Sequence, residues 1–322
     1  MSFNWCFIGT GKIAHRVAKQ IITIDGHRIV SVYNRTKEKA LTFAKIYNSR
    51  VYDTALEAIN DPAVDGVYIA TTNETHFPFI KLCLENHKPT LCEKPLTGNA
   101  KQLQYLLELS VEKKTFLCEG MWTWFNPISH RVKEWIKQHK IGNILDVKCC
   151  FCVPIFGRKN NARLVEIDKY GGALLDLGVY CVRYVYELFG IPKSILSEGK
   201  LYRGVDFVNK AKFFYDNFTA TITSSFNHFY GDYCLIKGEE GTIKVPLFHR
   251  ANKAILKNKN GRTVYRNTTP KFVYQFLQVA NDIKSGKKES LISLKSSLEV
   301  LQLMDEIRKQ VGVVYQCDLD SP

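Results

Sequence analysis

The feature that most constrains the fold is the regular alternation of short apolar runs with helical segments between residues 4 and 119. Six runs are rich in β-branched and aromatic residues, near 4–9, 28–33, 50–52, 65–70, 89–92 and 115–119. Segments with apolar residues at three- and four-residue spacing lie between them, at 12–22, 36–47, 54–59, 74–86 and 99–113. This alternation predicts a doubly wound parallel sheet with crossover helices.

A glycine-rich turn follows the first run. Residues 9–14 read Gly-Thr-Gly-Lys-Ile-Ala and lead into the first helical segment. Gly9 allows a tight turn, Gly11 lets the backbone approach a pyrophosphate, and Ala14 keeps the helix close to the sheet. We therefore expect residues 1–122 to form a dinucleotide-binding Rossmann domain in which the cofactor contacts Gly9, Thr10, Gly11, Lys12 and Ile13.

The end of the second run indicates which dinucleotide binds. An NAD site usually carries Asp or Glu there, whereas this chain has Asn34 and Arg35. A carboxylate would repel a 2′-phosphate, and a guanidinium accepts one through paired charge-assisted hydrogen bonds. The prediction is NADP(H), with NAD remaining possible.

The pattern changes after residue 122. A helical period at 127–139 is followed by an extended run at 144–153, a helix at 173–189, and alternating runs at 212–215, 219–226, 233–237 and 242–245. Two helices, 272–285 and 294–311, end the chain. Residues 123–322 are thus expected to form an α+β domain on an open, mainly antiparallel sheet that binds substrate and forms the interface of a homodimer or higher homo-oligomer.

Polar residues cluster where the fourth and fifth runs end, at the edge where open α/β sheets bind ligands. They are Thr71, Thr72, Asn73, His76, Glu93 and Lys94, followed by Pro95. We expect all except Pro95 to contact the cofactor, with Lys94 near the nicotinamide.

These segments together resemble the glucose-fructose oxidoreductase/inositol dehydrogenase (Gfo/Idh/MocA) family over nearly the whole chain. The matching pieces are residues 9–14, Thr72-Asn73 with His76, 93–95, 119–127, 171–180 and 290–300. The resemblance implies a Rossmann domain, a C-terminal open sheet that often builds dimers, and hydride transfer at a carbinol carbon. It also implies that Lys94 is a catalytic residue that touches the cofactor.

The segment 176–180, Asp-Leu-Gly-Val-Tyr, is similar to the branch of dimeric dihydrodiol dehydrogenases and NADP-dependent D-xylose 1-dehydrogenases. Asp176 and Tyr180 are four residues apart and share one helix face, which Arg183 and Glu187 continue. We expect Tyr180 to exchange the hydroxyl proton while Lys94 stabilises its phenolate, because a free phenol with a pKa of about 10 is a poor base. Asp176 is expected to orient a substrate hydroxyl, and Trp122 and Phe156 to line the substrate pocket.

Two positions depart from the family pattern, and a third is compared with it. Trp124 stands where arginine is usual, and Tyr170 replaces a glycine before Gly171. The family's arginine ahead of these glycines is matched by Arg163, which the resemblance assigns to the cofactor. Substrate identity is therefore open among sugars, polyols and trans-dihydrodiols.

Charge, motifs and cysteine placement argue against other function classes. The formal charge is +14, from 45 Lys+Arg against 31 Asp+Glu, but no nucleic-acid-binding motif accompanies it, and the basic segment 250–266 is interpreted as a solvated hairpin. Nearly all of the ten cysteines are interpreted as small core residues, because most of them lie in apolar runs. A metal or redox site at Cys149 and Cys152 is not expected, since these two residues point to opposite faces of an extended run. We expect no metal, no membrane segment and a cytoplasmic protein. A nucleotide-sensing regulator and an NAD-dependent inositol-type dehydrogenase remain the alternatives.

Overall fold

A computed structural model describes residues 2–155, 161–269 and 271–320, which form two compact units. The first unit contains residues up to 122 and the segment 271–298. The second contains residues 123–269, apart from 156–160, and the segment 299–320. Within the described residues no helix is both long and apolar enough to cross a membrane.

The first unit is built on a six-stranded parallel sheet. Its strands are β1 (Phe3–Ile8), β2 (His27–Tyr33), β3 (Arg50–Val51), β4 (Gly66–Ile69), β5 (Thr90–Glu93) and β6 (Leu117–Gly120). Its crossover helices are α1 (Lys12–Ile21), α2 (Lys37–Tyr47), α3 (Ala55–Ile59), α4 (His76–Glu85) and α5 (Ala100–Glu112). The strand order β3-β2-β1-β4-β5-β6 is the Rossmann order. Successive strands are added on one side of β1 and then on the other, and this reversal of strand order opens a crevice at the carboxyl ends of β1 and β4. The predicted fold class is confirmed.

The second unit is built on an eight-stranded sheet. Its strands are β7 (Ile144–Cys152), β8 (Ser194–Tyr202), β9 (Val205–Phe214), β10 (Thr219–Ser225), β11 (Asp232–Gly238), β12 (Gly241–Pro246), β13 (Lys253–Asn258) and β14 (Gly261–Arg266). The remaining helices are α6 (Trp122–Phe125), α7 (Pro127–Lys137), α8 (Ala162–Val165), α9 (Val179–Phe189), α10 (Val273–Lys284), α11 (Leu294–Val311) and α12 (Gln316–Leu319). The order is β14-β13-β12-β11-β7-β10-β9-β8, antiparallel except for the parallel pair of β7 and β10.

The segment 271–298 differs from the single division expected at residue 122. Phe276 of α10 packs edge-on against Trp5 and Tyr68 of the first sheet, with ring centroids 4.9 and 5.1 Å apart. Lys284 at the end of α10 forms an ion pair with Asp65 at 2.6 Å. Because its apolar face is buried on β1 and β4, α10 belongs to the first unit although it lies near the end of the chain.

The helix expected at 173–189 is confirmed in extent, but its first turn and the exposure of its polar face differ from the expectation. Residues 174–178 form a π-helical turn, and α9 starts only at Val179. The expected polar face is also buried, since Tyr180 is 8% exposed and Arg183 is 0% exposed. The helix lies inside the unit, so burial extends to both of its faces rather than to one apolar stripe.

The cysteine interpretation is confirmed, because all ten thiols are buried and reduced. Cys152 lies beside Cys150, with the Sγ atoms 3.6 Å apart, whereas Cys149 groups with Cys181 and Cys234 on the other side of β7. The basic hairpin around residue 260 forms strands β13 and β14, and β14 lies at the edge of the sheet. Strand β8 had no sequence prediction, because its polar residues and its glycine at 199 hide the alternation of an edge strand.

Candidate active site

The glycine turn between β1 and α1 has the geometry that dinucleotide binding requires. Gly9 has a φ of +96°, and a Cβ there would lie 2.8 Å from the carbonyl oxygen of Ala70. Its amide donates to the carbonyl of Tyr33 at 2.8 Å. Only glycine fits this position, because both the dihedral angle and the contact with the backbone exclude a side chain.

Gly11 is constrained differently. Its φ of −73° suits any residue, and a Cβ built there meets no protein atom within 4 Å. It caps the N-terminus of α1, whose first two residues are Lys12 and Ile13. Among the described residues, the hydroxyls of Thr10 and Thr71 are buried without a hydrogen-bond partner. Open space at a helix N-terminus beside two unpartnered hydroxyls fits a bound pyrophosphate.

A cavity of about 460 Å³ lies next to this turn. It is lined by Thr10, Gly11, Lys12, His15, Glu38, Lys39 and Thr42. Sequence reasoning missed His15 and Lys39, which lie on α1 and α2 outside any motif; the helical period of α2, which places Lys39 and Thr42 three residues apart, was the available signal.

Asn34 and Arg35 follow β2 at the rim of this region. The side chain of Asn34 accepts a hydrogen bond from the amide of Thr10 at 3.2 Å and donates to the carbonyl of Thr36 at 3.0 Å. Asn34 therefore ties the end of β2 to the glycine turn. Arg35 is exposed, so its guanidinium is accessible to an anion.

Strand β4 leads into a short helical turn at Asn73–Thr75. The hydroxyl of Thr72 donates to the carboxylate of Glu74 at 2.8 Å, and the hydroxyl of Thr75 donates to the Thr72 carbonyl at 2.7 Å. Asn73 is 9% exposed. These bonds fix the backbone at the carboxyl end of β4, next to β1 in the sheet.

His76 lies deeper than the cofactor-contacting role expected of it. The side chain is fully buried, and its Nδ1 lies 2.8 Å from the carbonyl oxygen of Pro95. Burial lowers the pKa of His76, so the imidazole is neutral at neutral pH and Nδ1 donates to that carbonyl. Its contact in the structure is with the turn that carries Lys94.

The Glu93-Lys94-Pro95 turn is held from the other side by a buried carboxylate. Tyr68 donates to Oε1 of Glu93 at 2.6 Å. Burial raises the pKa of Glu93, an effect that the Tyr68 hydroxyl and the Lys94 charge partly oppose. Lys94 is itself partly exposed, and its bond to Pro95 is cis.

In the second unit, Asp176 lies in the π-helical turn and forms an ion pair with Arg163 of α8, at 2.8 Å. The carboxylate of Asp176 raises the pKa of the Arg163 guanidinium, and Tyr180 adds to the same electrostatic effect. A cation, a carboxylate and a phenol therefore act on one another within this unit. The cofactor contact expected of Arg163 stays a prediction.

The two glycines before this turn are sterically required. A Cβ on Gly171 would lie 2.7 Å from the Leu164 carbonyl, and one on Gly172, where φ is +121°, would collide with Oδ1 of Asp206. Asp206 is fully buried and accepts a hydrogen bond from the amide of Leu174 at 2.7 Å. Burial raises the pKa of Asp206 to about 7.

Tyr180 is surrounded by rings. Phe151 of β7 meets it edge-on with centroids 5.7 Å apart, and His249 lies 6.1 Å away. His249 stacks on Phe151 and lies 2.7 Å from Oδ2 of Asp232. Sequence reasoning missed His249 and Asp232, because neither belongs to a local motif.

The aromatic residues expected to line the substrate pocket, and those that depart from the family pattern, lie in different places. Trp122 is 4% exposed and packs in the first unit against Phe272, with centroids 5.0 Å apart. Trp124 is buried in the core of the second unit, where its ring packs edge-on against Tyr184. Phe156 lies outside the described residues. Tyr170 has a φ of +49°, the left-handed conformation in which glycine is favoured, and packs on Tyr315.

Comparison with known proteins places this geometry in context. The model of an oxidoreductase family with an NAD-binding Rossmann fold (GFO_IDH_MocA) matches residues 3–121, and the model of the corresponding C-terminal domain matches residues 129–244. A trans-1,2-dihydrobenzene-1,2-diol dehydrogenase of Xenopus laevis is 30% identical over 98% of this chain and 100% of its own length. An NADP(+)-dependent scyllo-inositol 2-dehydrogenase of Bacillus subtilis, IolU, is 29% identical over 98% of this chain and 99% of its own.

Solved structures share the fold. A 3-ketoreductase from Actinomadura kijaniata, in complex with NADP and TDP-benzene, superposes with a TM-score of 0.87 at 21% identity. The match covers 98% of this chain and 99% of the ketoreductase.

Proposed function

Since the chain belongs to the Gfo/Idh/MocA family of oxidoreductases, we propose that it transfers a hydride between NADP(H) and a carbinol or carbonyl carbon of a sugar, polyol or trans-dihydrodiol. The observation that carries this proposal is the cluster of Arg163, Asp176 and Tyr180 in the second unit. A protein that only senses a dinucleotide has no need of a carboxylate, a cation and a phenol arranged in this way.

The cofactor assignment is supported by three features of the first unit. Gly11 leaves open space at the start of α1, the hydroxyls of Thr10 and Thr71 are buried without partners, and Arg35 is exposed after β2. The exposed guanidinium favours NADP(H), because it can pair with a 2′-phosphate. When bound, the nicotinamide supplies the hydride chemistry, and the protein supplies position and charge.

The protein's own groups have separate roles in this proposal. Tyr180 exchanges the proton of the substrate hydroxyl, and Arg163 favours the phenolate form through its positive charge. Asp176, 21% exposed and fixed by Arg163, accepts a hydrogen bond from a second substrate hydroxyl. Lys94 is the catalytic lysine of the Glu-Lys-Pro motif, on a turn that His76 and Glu93 hold in place.

The test is a panel of sugars, polyols and trans-dihydrodiols, assayed with NADP+ and NADPH by the absorbance of the reduced nicotinamide. Single-turnover rates are then compared for Tyr180→Phe and Lys94→Ala. Loss of a general acid–base group is expected to lower the rate by a factor of about 100 or more. Tyr265→Phe and Lys45→Ala, on β14 and the surface of α2, are matched controls that should keep the parent rate. Tight NADPH binding without turnover of any substrate would support the regulator instead.

The proposal also includes a cytoplasmic location and a homodimer formed through the second sheet. Exposed leucines on the edge strand β8 support such an interface, with Leu196 64% and Leu201 49% exposed. Light scattering is expected to give twice the chain mass, and Leu196→Lys is expected to reduce it. A monomeric mass for the parent protein would refute the dimer.

A further inference from the structure

A histidine outside every sequence motif lies beside Tyr180. Strand β12 ends at Pro246, Leu247 takes a φ of +50°, and a single helical turn at Phe248–Arg250 presents His249. The amide of Leu247 donates to the carbonyl of Asp232 at 2.7 Å, so this turn is tied to the start of β11. The position of His249 is therefore set by the sheet.

The side chain of Asp232 also acts on His249. Its Oδ2 lies 2.7 Å from Nδ1, and the two side chains are 5% and 16% exposed. A carboxylate that contacts Nδ1 favours a proton on that nitrogen, which leaves Nε2 as the basic nitrogen of the neutral ring. The same negative charge stabilises the imidazolium when Nε2 is protonated.

The plane of the imidazole is fixed by stacking. Its centroid lies 4.0 Å from that of Phe151, with an angle of 14° between the rings. Phe151 also meets Tyr180 edge-on at 5.7 Å, and the centroids of His249 and Tyr180 are 6.1 Å apart. These ring separations place the imidazole next to the Tyr180 ring.

A phenol in this position needs a route to solvent. Tyr180 is 8% exposed and gains a proton in each oxidation turnover of the proposed reaction. An imidazole with a pKa near 6.5 gives up a proton to water at neutral pH far more readily than a phenol with a pKa near 10. His249 is more exposed than Tyr180, and the carboxylate of Asp232 orients its imidazole.

We propose that His249, positioned by Asp232, relays the proton between Tyr180 and solvent. This inference rests on the proposed function. In the oxidation direction, the carbinol loses two electrons and one hydrogen as hydride to the nicotinamide, and its hydroxyl proton passes to Tyr180. That proton then moves through a bridging water to Nε2 of His249 and out to solvent. Reduction reverses each transfer.

Other titratable groups surround the pair and must be separated from it. Asp232 comes from β11 and Tyr180 from α9, while β7 contributes Cys150 and Cys152. The hydrogen bond between these thiols raises the pKa of Cys150 and lowers the pKa of Cys152. Further out, Arg163 and Asp176 neutralise each other.

The kinetic experiment compares the parent protein with His249→Gln over the pH range in which imidazole titrates. The variant is expected to lower kcat by a factor of about 10 to 100, to leave KM and the NADPH dissociation constant within threefold, and to remove the ionisation of the imidazole from the pH profile of kcat. Added imidazoles are expected to restore rate in His249→Ala in proportion to their basicity. His228→Gln, an exposed histidine of the same unit, and Cys152→Ala are controls that should keep the parent profile.

A second measurement does not depend on turnover. Nitrogen NMR of the imidazole is expected to show the Nδ1–H tautomer for neutral His249, and Asp232→Asn is expected to lower the His249 pKa by at least about one unit. A dominant Nε2–H tautomer, an unchanged pKa, or an unchanged kcat profile in His249→Gln would overturn the relay alone. Absence of turnover in the parent protein would overturn the proposed function, and the relay with it.

Discussion

Two alanine substitutions in the glycine turn separate folding from cofactor binding. Gly11 has an allowed φ of −73° and open space at its Cβ position, so Gly11→Ala adds a methyl group without a clash. Alanine reduces the conformational entropy of the unfolded chain, which stabilises the folded protein by about 0.4–1 kcal/mol. Replacing the glycine N-cap of α1 destabilises it by a similar amount. We expect the free energy of unfolding to change by less than about 1 kcal/mol.

Gly9→Ala is the opposing case. At a φ of +96° an alanine costs about 1–2 kcal/mol, and its Cβ would lie 2.8 Å from the backbone oxygen of Ala70, which adds roughly 1–3 kcal/mol of overpacking. The expected loss is about 2–5 kcal/mol. Urea unfolding followed by tryptophan fluorescence measures both variants.

Gly11→Ala is expected to change NADPH binding although it leaves the fold intact. The methyl group of Gly11→Ala occupies the space in which the pyrophosphate approaches the backbone, so the NADPH dissociation constant should rise about 30-fold, or about 2 kcal/mol, while the fold is kept. Titration of NADPH fluorescence gives this value. Parent-like affinity in a folded Gly11→Ala protein would refute the assignment of this turn to the pyrophosphate.

Three further predictions follow from single side chains. Arg35→Glu should weaken NADPH binding at least tenfold and change NADH binding less than threefold. Lys45→Glu is the surface control and should change neither. Equal losses of affinity for both nucleotides would contradict the 2′-phosphate contact. Because the pKa of Asp206 is raised from 3.8 to about 7, its contribution to stability is present below about pH 4 and lost as pH rises through 7. In urea unfolding, the free energy of unfolding of Asp206→Asn should therefore rise relative to that of the parent by up to about 4 kcal/mol between pH 4 and pH 7. A difference between the two proteins that does not change with pH would refute the raised pKa. Glu187→Gln should cost about 3 kcal/mol in unfolding free energy, since Arg183 is only 1% exposed at 3.1 Å from it, and a loss below 1 kcal/mol would contradict this.

The sequence predicted most of the first unit because its signals are local. The strand–helix periods, Gly9 in its tight turn and the polar residues after β4 and β5 each follow from a few neighbouring residues, and the observed strands begin and end within two residues of the predicted ones. The sequence placed His76 at this edge of the sheet but did not indicate its hydrogen bond to Pro95, because that bond joins the ends of two different strands. The cofactor contact expected of His76 stays a prediction.

The second unit was less predictable. Its sheet class was expected, yet β8 and the burial of Arg183 were not, because an edge strand and a helix buried on all sides both break the periods that sequence patterns rely on. The left-handed backbone at Tyr170 was not expected either, because no neighbouring residue indicates it.

By itself the sequence determined the fold class, the family and the chemistry that the two halves can offer, because these depend on residue type and short-range spacing. Only the tertiary structure decided that α10 packs on the first sheet, that Arg163 pairs with Asp176, and that His249 stands beside Tyr180 with a carboxylate behind it. These contacts join residues far apart in the chain, and their free energy arises from burial and charge in three dimensions, which local spacing does not encode.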